Sequence, residues 1–353
     1  MTSSGVYGTT SIEVVDVMDH VMRRVGLNPG LLSAEIIITI KNNLFMFLST
    51  LSNRGINLWK INRPIIGVYP GETDYTLPVG TLDVLESLHR IPQQLTGTIT
   101  SSAGGTVGNL VDQNAATACT QGAPNGNLQW DFGVGSTQNV PLVGLLPSGN
   151  QTLNLVCETS PDGGAWTTSK ALGSTAYVDN QWTWFEIDPA TPTEFFRIRE
   201  TAGGTMAFRE IFLSNTWSEI SMYRMNRTDY AMLPNKKTPG RPLQFWLDRQ
   251  ITPVMRVWQN PTAAFAFTCI ALFLHQQIQD VGAIGNTLDI PQRWYDAVVS
   301  NTAFMSILDI PGADMTRYPI LKDQAGLAMT MADAEERDAS PTNWVPNIQP
   351  YTM

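Results

Sequence analysis

The stretch LVDQNAATACTQGAPNGNLQWDFGVG, residues 110–135, decides how this chain is organised. It opens on a polar loop holding Asp112 and Thr117. It passes through a run of Gly, Pro and Asn and ends in a segment, 128–135, that reads as a strand. Further on come ETSPDGGAW (158–166), FFRIRE (195–200) and FREIFLSN (208–215). Turn residues recur about every 8–12 positions, the spacing of an all-β sandwich. This grammar covers residues 96–215. With ten Asp or Glu against four Lys or Arg, that segment carries −6 of the chain's net charge of −9.

On either side of it the pattern changes. Thr10-Ser11-Ile12-Glu13 has the form of a capping box. Val14, Met18, Val21, Met22 and Val25 follow on one helical face. GLNPG (26–30) ends that helix. A second is expected from Ser33, with Ile37, Ile40, Leu44, Phe47, Leu48 and Leu51 at helical spacing and Gly55 at its end. Two such helices with a short Gly/Pro connection predict an antiparallel hairpin. Residues 58–68 read as a strand, and another is expected around Val84, Leu85 and Leu88. Beyond 215, strands are expected over 243–248 and 254–258. The apolar stretch 264–277 fits helix or strand, with strand preferred for its alternating Phe265, Phe267, Cys269, Ala271 and Phe273. Helices are expected over 290–308, with Pro291 at the start, and over 322–338. The last residues, with no periodic pattern, are expected to form an extended arm.

Composition narrows the function. At 353 residues and 43% apolar, the chain is long enough for two or three domains with large cores. A net charge of −9 argues against a generic nucleic-acid-gripping surface. Cys119, Cys157 and Cys269 are few, odd in number and widely spaced, which points to a reduced chain made in a cytoplasm. The N-terminus has no signal-peptide pattern. The apolar run 263–274 falls short of the roughly 20 residues a bilayer needs, so no membrane span is expected.

The flanking elements, taken in order, resemble the head-to-tail adaptor or tail tubular proteins of short-tailed bacteriophages. The likeness rests on the helical hairpin, on YTLPVGTLDVLE (75–86), on NRTDYAMLPNKKTPGRPLQFWLDRQ (226–250), on PVMRVWQNP (253–261), and on the QDVG and PQRW pieces. It covers most of 10–95 and 216–338. It implies a structural virion protein at the head-tail junction, made in the host cytoplasm. That protein would form a ring, dodecameric in the family, below a portal protein and above a tail nozzle or tube. The C-terminal arm would dock on the portal, and double-stranded DNA would pass through the channel without sequence-specific binding. A mildly acidic lumen would suit that passage. Arg227, Asp229, Arg241, Asp248 and Arg249 are candidate intersubunit contacts, because arginine's planar fork suits carboxylates. Ordinary ion pairs within the chain are the other reading of the same residues.

The interrupting segment resembles the galactose-binding-like, or discoidin (F5/8 type C), jelly roll. The likeness is carried by the Asp112…Thr117 loop, WDFG (130–133), SPDGGAW (160–166), FFRIR (195–199) and REIFL (209–213). It implies a calcium site at Asp112, Thr117 and Glu210, where oxygen ligands suit that ion. The alternative is a loop tied down by its own Asp and Thr hydrogen bonds. The loop departs from the family's Asp-Gly pattern, with Gln113 in the glycine position. Trp166, Trp182 and Trp184 are candidate glycan-facing aromatics, and core or sheet-face packing is the competing expectation.

No catalytic constellation is expected. His20, His89 and His275 fall in different elements without a nucleophile motif. The glycine-rich 102–109 lacks a phosphate-loop pattern, and Glu186 with Asp188 reads as a solvated pair. The expected fold is α+β. A helical adaptor core with a small antiparallel sheet (1–95 and 216–338) is interrupted by an all-β jelly-roll sandwich (96–215) and followed by the arm (339–353). The leading functional expectation is the adaptor. The alternative is a carbohydrate-binding or decorating tail or surface protein acting through the sandwich.

Overall fold

The structure, a computed structural model, describes residues 11–55, 58–188 and 190–336. The cap expected at Thr10 and the arm expected over 339–353 lie outside the described residues. The chain is α+β and mostly β. It divides into two compact units, 1–61 with 277–353, and 62–276. Among the described residues the helices are α1 (Val14–Arg24), α2 (Ala34–Arg54), α3 (Arg227–Met232), α4 (Tyr295–Ser306) and α5 (Tyr318–Glu335).

In the first unit, α1 begins one turn later than the Thr10 box implied. Glu13 is its N-cap, and the Glu13 backbone N–H donates to Asp16 Oδ2 at 3.2 Å. Val14, Val17, Met18, Val21 and Met22 line its buried face, as a 3.6-residue repeat requires. Ser33 caps α2 by accepting from the Ile36 N–H. Helix α4 packs against α1, α2 and α5 together. Its Ala297, Ser300, Thr302, Ala303 and Ser306 are small and buried, which lets three neighbours approach it. It starts after a 3-10 turn, Gln292–Trp294, so Pro291 stands outside the helix rather than in its first turn. Helix α2 is, by length and composition, long and apolar enough to cross a bilayer, a reach the sequence reading did not give it. Within its unit it presents Ile40, Leu44, Phe47, Leu48 and Leu51 to the core. Buried Asn43 donates to Ser306 Oγ (3.2 Å) and Asp309 Oδ2 (3.0 Å).

The second unit is built of sheets. Of the stretch 264–277 only Cys269–Gln276 is strand, buried on both faces and paired antiparallel with Ile65–Gly67 and Thr81–Pro92. Ala263–Phe265 is a 3-10 turn, so Phe265 and Phe267 lie outside the expected strand. The strand expected over 58–68 is broken. Leu58–Lys60 forms a 3-10 turn, and pairing with Cys269–Gln276 is taken up again at Ile65–Gly67, after Pro64, which has no N–H to donate. Trp217–Ser221 adds to the far side of Thr81–Pro92. A second sheet joins Tyr223–Arg224, Gln244–Asp248, Val254–Trp258 and Asp74–Thr76.

Strands between Thr98 and Ser214 form a sandwich of their own. One sheet runs Thr167–Tyr177, Gln151–Ser160, Phe195–Glu200, Asn127–Asp131, Thr98–Ser101. The other runs Thr183–Glu186, Leu142–Pro147, Ala207–Ser214, Cys119–Thr120. Trp130, Phe196, Ile198, Leu145, Phe208 and Ile211 fill the space between them. The strands that lead into and out of this segment, Thr81–Pro92 and Trp217–Ser221, are antiparallel neighbours, with Trp217 opposite Pro92. Their ladder runs straight into the sandwich through Gln93 N–H to Thr216 O (2.9 Å) and Leu95 N–H to Leu213 O (2.8 Å). An insertion between adjacent strand ends leaves the flanking pairing intact, which explains why the flanks read as continuous.

Candidate functional site

The sandwich meets the neighbouring sheet along an apolar seam. Leu142–Pro147 is buried at every position, the pattern of a strand covered on both faces. Its inward residues belong to the sandwich core. Leu142 and Leu146, with Trp182, Trp184 and Phe212, pack instead with Ile65, Phe267, Cys269 and Trp217. Trp182 and Trp184 stack at 5.0 Å, and Trp182 Nε1–H donates to Ala266 O at 3.1 Å. They are 8% and 6% exposed, so neither faces a glycan in solvent. The two indoles face the same way, toward the flanking sheet. Trp166 is half-buried, with the Arg197 guanidinium 4.0 Å from its ring centroid. Arg197 and Arg199 both hold buried Glu158, at 2.6 and 2.8 Å.

At one end of the seam a cleft of about 690 Å³ opens between residues 65–76 and the sandwich loop 179–182. Tyr69 connects its two walls, because the Trp182 N–H donates to Tyr69 Oη at 2.7 Å. Burial drives the Tyr69 hydroxyl up to about 12, so it stays protonated. Tyr75 lies beneath, its ring 6.4 Å from that of Tyr69, and its hydroxyl accepts from the Tyr69 N–H. Glu72, Asp74, Asp179, Asn180 and Gln181 supply exposed polar groups around the mouth. The loop is held in place. Asp179 Oδ1 accepts from Gly149 N–H (2.7 Å) and Arg209 (3.2 Å), and Asn180 takes a positive φ of 56°. Sequence reasoning missed this cleft because its walls come from segments more than 100 residues apart.

The Asp112 loop does assemble with the last long strand of the sandwich. Thr117 Oγ1–H donates to Asp112 Oδ2 (2.8 Å), and the Asn114 N–H is shared by Asp112 Oδ1 (3.0 Å) and Glu210 Oε1 (2.6 Å). Gln113 reaches the left-handed φ of 55° that glycine would take freely, so the turn forms without it. Glu210 is 1% exposed. Burial first, and the neighbouring Asp112 second, push its carboxyl up to about 8. Among the described residues no three His, Cys, Asp or Glu side chains converge on a metal position. The oxygens here are two carboxylates, the Thr117 hydroxyl and the Asn114 carbonyl, a hard donor set of the kind calcium takes.

The candidate intersubunit residues divide into two groups. Arg249 pairs with Asp83 (2.8 Å), Asp248 with Arg256 (3.4 Å), and Arg241 Nε–H donates to His89 Nδ1 (3.1 Å), so these three are engaged within the chain. Arg227 and Asp229 are exposed at the start of α3, beside a shallow pocket of about 400 Å³.

No protein-family model and no curated protein matches the sequence. Among solved structures, the chain is similar to the CBM32 of AlyQ in complex with 4,5-unsaturated mannuronic acid. That match has 18% identity, covers 35% of this chain and 99% of that one, and has a TM-score of 0.29. It is also similar to chitosan-binding module 1 of a chitosanase/glucanase from Paenibacillus sp. IK-5 (20% identity, 35% and 98% covered, TM-score 0.29). A third is CBM62 from Clostridium thermocellum Xyl5A (20% identity, 35% and 98% covered, TM-score 0.32).

Proposed function

We propose that this chain binds carbohydrate, with the sandwich of residues 98–214 forming one wall of the site and the adjoining sheet the other, as part of a virion tail or surface. The observation that carries the reading is the cleft beside Tyr69. Sugars present C–H faces that lie on aromatic rings, and hydroxyls that pair with amides and carboxylates. Tyr69, Asn180, Gln181 and Glu72 offer both within one cavity. Calcium among Asp112, Thr117, Glu210 and the Asn114 carbonyl would offset the cost of burying Glu210 beside Asp112 and stiffen the neighbouring loop. The intact chain should be screened against immobilised neutral, acidic and amine-bearing glycans and any hit titrated by calorimetry. Saturable binding supports the reading, and no binding across the panel with calcium present overturns it.

A second reading, the ring-forming head-to-tail adaptor, has its own observation. Ile320, Leu327 and Met331 lie along one stripe of α5, and Ile38, Phe45 and Met46 lie on α2, all exposed. Apolar surface of that kind on a helical unit suits contact with a portal protein, a tail component or a second copy. In this reading Arg227 and Asp229 are the remaining intersubunit candidates, and the ring is dodecameric, with DNA in its channel. Electron cryo-microscopy of the particle tests it. Twelve-fold density below the portal supports it, and placement on a fibre or capsid face overturns it.

A further inference from the structure

The cleft beside Tyr69 has a charge pattern that selects among sugars. Glu72, Asp74 and Asp179 all line it, and no Lys, Arg or His is among its described lining residues. Two of these carboxylates are paired with arginines outside the cleft's lining, Asp74 with Arg256 at 2.8 Å and Asp179 with Arg209 at 3.2 Å. Glu72 is exposed at the mouth, and no ion pair to it is seen among the described residues. The cavity therefore keeps an excess of negative charge around an aromatic floor. Its volume of about 690 Å³ falls inside the span of roughly 300–1,000 Å³ usual for ligand pockets.

We propose that this cleft takes a sugar bearing a protonated amine, of the glucosamine-oligomer class, with the ring on Tyr69 and the ammonium at Glu72. The inference rests on the carbohydrate reading and adds the ligand class and the residue that selects it. A uronate would meet the unpaired Glu72 carboxylate and be repelled. An N-acetylated sugar keeps its hydroxyls and its C–H face but has no charge to offer Glu72. The cleft has walls from both the sandwich and the flanking sheet, so the ligand would also brace the loop 179–182 against residues 65–76.

Calorimetry of the full chain and of Glu72→Gln tests this with three probes: a glucosamine tetramer, its N-acetylated counterpart and a neutral glucose tetramer. Lysine tetrapeptide serves as the charge control. Circular dichroism verifies that the variant, altered only at an exposed side chain, stays folded. The glucosamine tetramer should bind roughly tenfold more tightly than the N-acetylated one, and Glu72→Gln should remove that advantage, about the strength of one charge-assisted hydrogen bond. Added salt should weaken the amine-bearing probe more than the neutral one. If sugars bind but Glu72→Gln changes nothing, or the charged and acetylated tetramers bind alike, this inference falls while carbohydrate binding stands. If lysine peptide binds with the same dependence on Glu72 and sugars do not, the site is for a cationic peptide and the proposal is overturned. If no probe binds, this inference falls, and the wider panel of neutral, acidic and amine-bearing glycans decides the carbohydrate reading.

Discussion

Arg90 and Glu186 meet at 2.6 Å, one from the strand that leads into the sandwich and the other from within it. Arg90 also holds Glu219 at 2.8 Å, and its guanidinium lies 4.7 Å from the Trp217 ring centroid. Its side chain is 9% exposed, whereas Glu186 and Glu219 are 49% and 33% exposed. The two acids can therefore be rehydrated when the arginine is lost, which limits the penalty. Arg90→Ala should lower stability by about 2 kcal/mol, below the ~3–5 kcal/mol of a fully buried pair. Urea unfolding measures it, and an unchanged midpoint would show that the pair does not fasten the seam.

Two glycines let the indoles of the seam approach backbone. A Cβ on Gly67 would stand 2.5 Å from Trp182 Cβ, and one on Gly144 would stand 2.7 Å from the Trp184 ring. Gly67→Ala and Gly144→Ala should each destabilise by about 1–3 kcal/mol through overpacking. Trp184→Ala should cost about 3–5 kcal/mol through the cavity it leaves. Thermal unfolding of the three variants checks the order, and Gly144→Ala at wild-type stability would contradict the packing.

His89 makes the second unit sensitive to acid. Its Nδ1 accepts from Arg241, so its Nε2–H donates to Thr268 Oγ1 (2.9 Å). Burial first, and the Arg241 charge second, hold its pKa down at about 4. In the unfolded chain the imidazole titrates near ~6.5. Between those values the unfolded state binds more protons than the folded one. Stability is therefore whole above about pH 6.5 and declines as pH falls toward 4, by up to about 3 kcal/mol. Urea midpoints at pH 7 and 4.5 read this decline, and His89→Gln should flatten it. A decline of the same size in the variant would assign it to other groups.

Calcium should raise the melting temperature. At a concentration a hundred times its dissociation constant, binding to the folded state alone stabilises by about 2.7 kcal/mol. The rise should vanish with EDTA and in Asp112→Asn or Glu210→Gln. An equal rise in those variants would place the ion elsewhere.

Excising residues 96–215 should leave a poorly soluble protein, because Ile65, Phe267 and Cys269 lose the indoles that cover them. Sedimentation of the excised and full chains compares them. A soluble monomer would show that the flanking sheet closes over its own seam.

Most helices and strands could be read from local pattern, because amphipathic spacing reports which face of an element is buried. Ser33 before α2 and the paired strands Gln244–Asp248 and Val254–Trp258 follow that rule. The Asp112, Thr117 and Glu210 convergence was legible through family likeness, although 93 residues separate Thr117 from Glu210. Trp182 and Trp184 show where pattern stops. Two indoles two residues apart share a side, but nothing local says whether that side meets water or another sheet.

What the sequence by itself determined is local pattern: a helical start, an acidic run of short strands and turns, and a return to helices. The compact units divide at 61/62 and 276/277, not at the expected 95/96 and 215/216, because the flanking sheets pack with the sandwich. Alternation, turn chemistry and caps are short-range physics, so they survive in the linear order. What only the tertiary structure decided is what covers each surface. It sealed Trp182 and Trp184 into the seam, spent Arg241, Asp248 and Arg249 on internal partners, and assembled the cleft of Tyr69, Glu72 and Asp179 from segments more than 100 residues apart. Burial and charge compensation depend on neighbours brought together by folding, and the linear order does not name those neighbours.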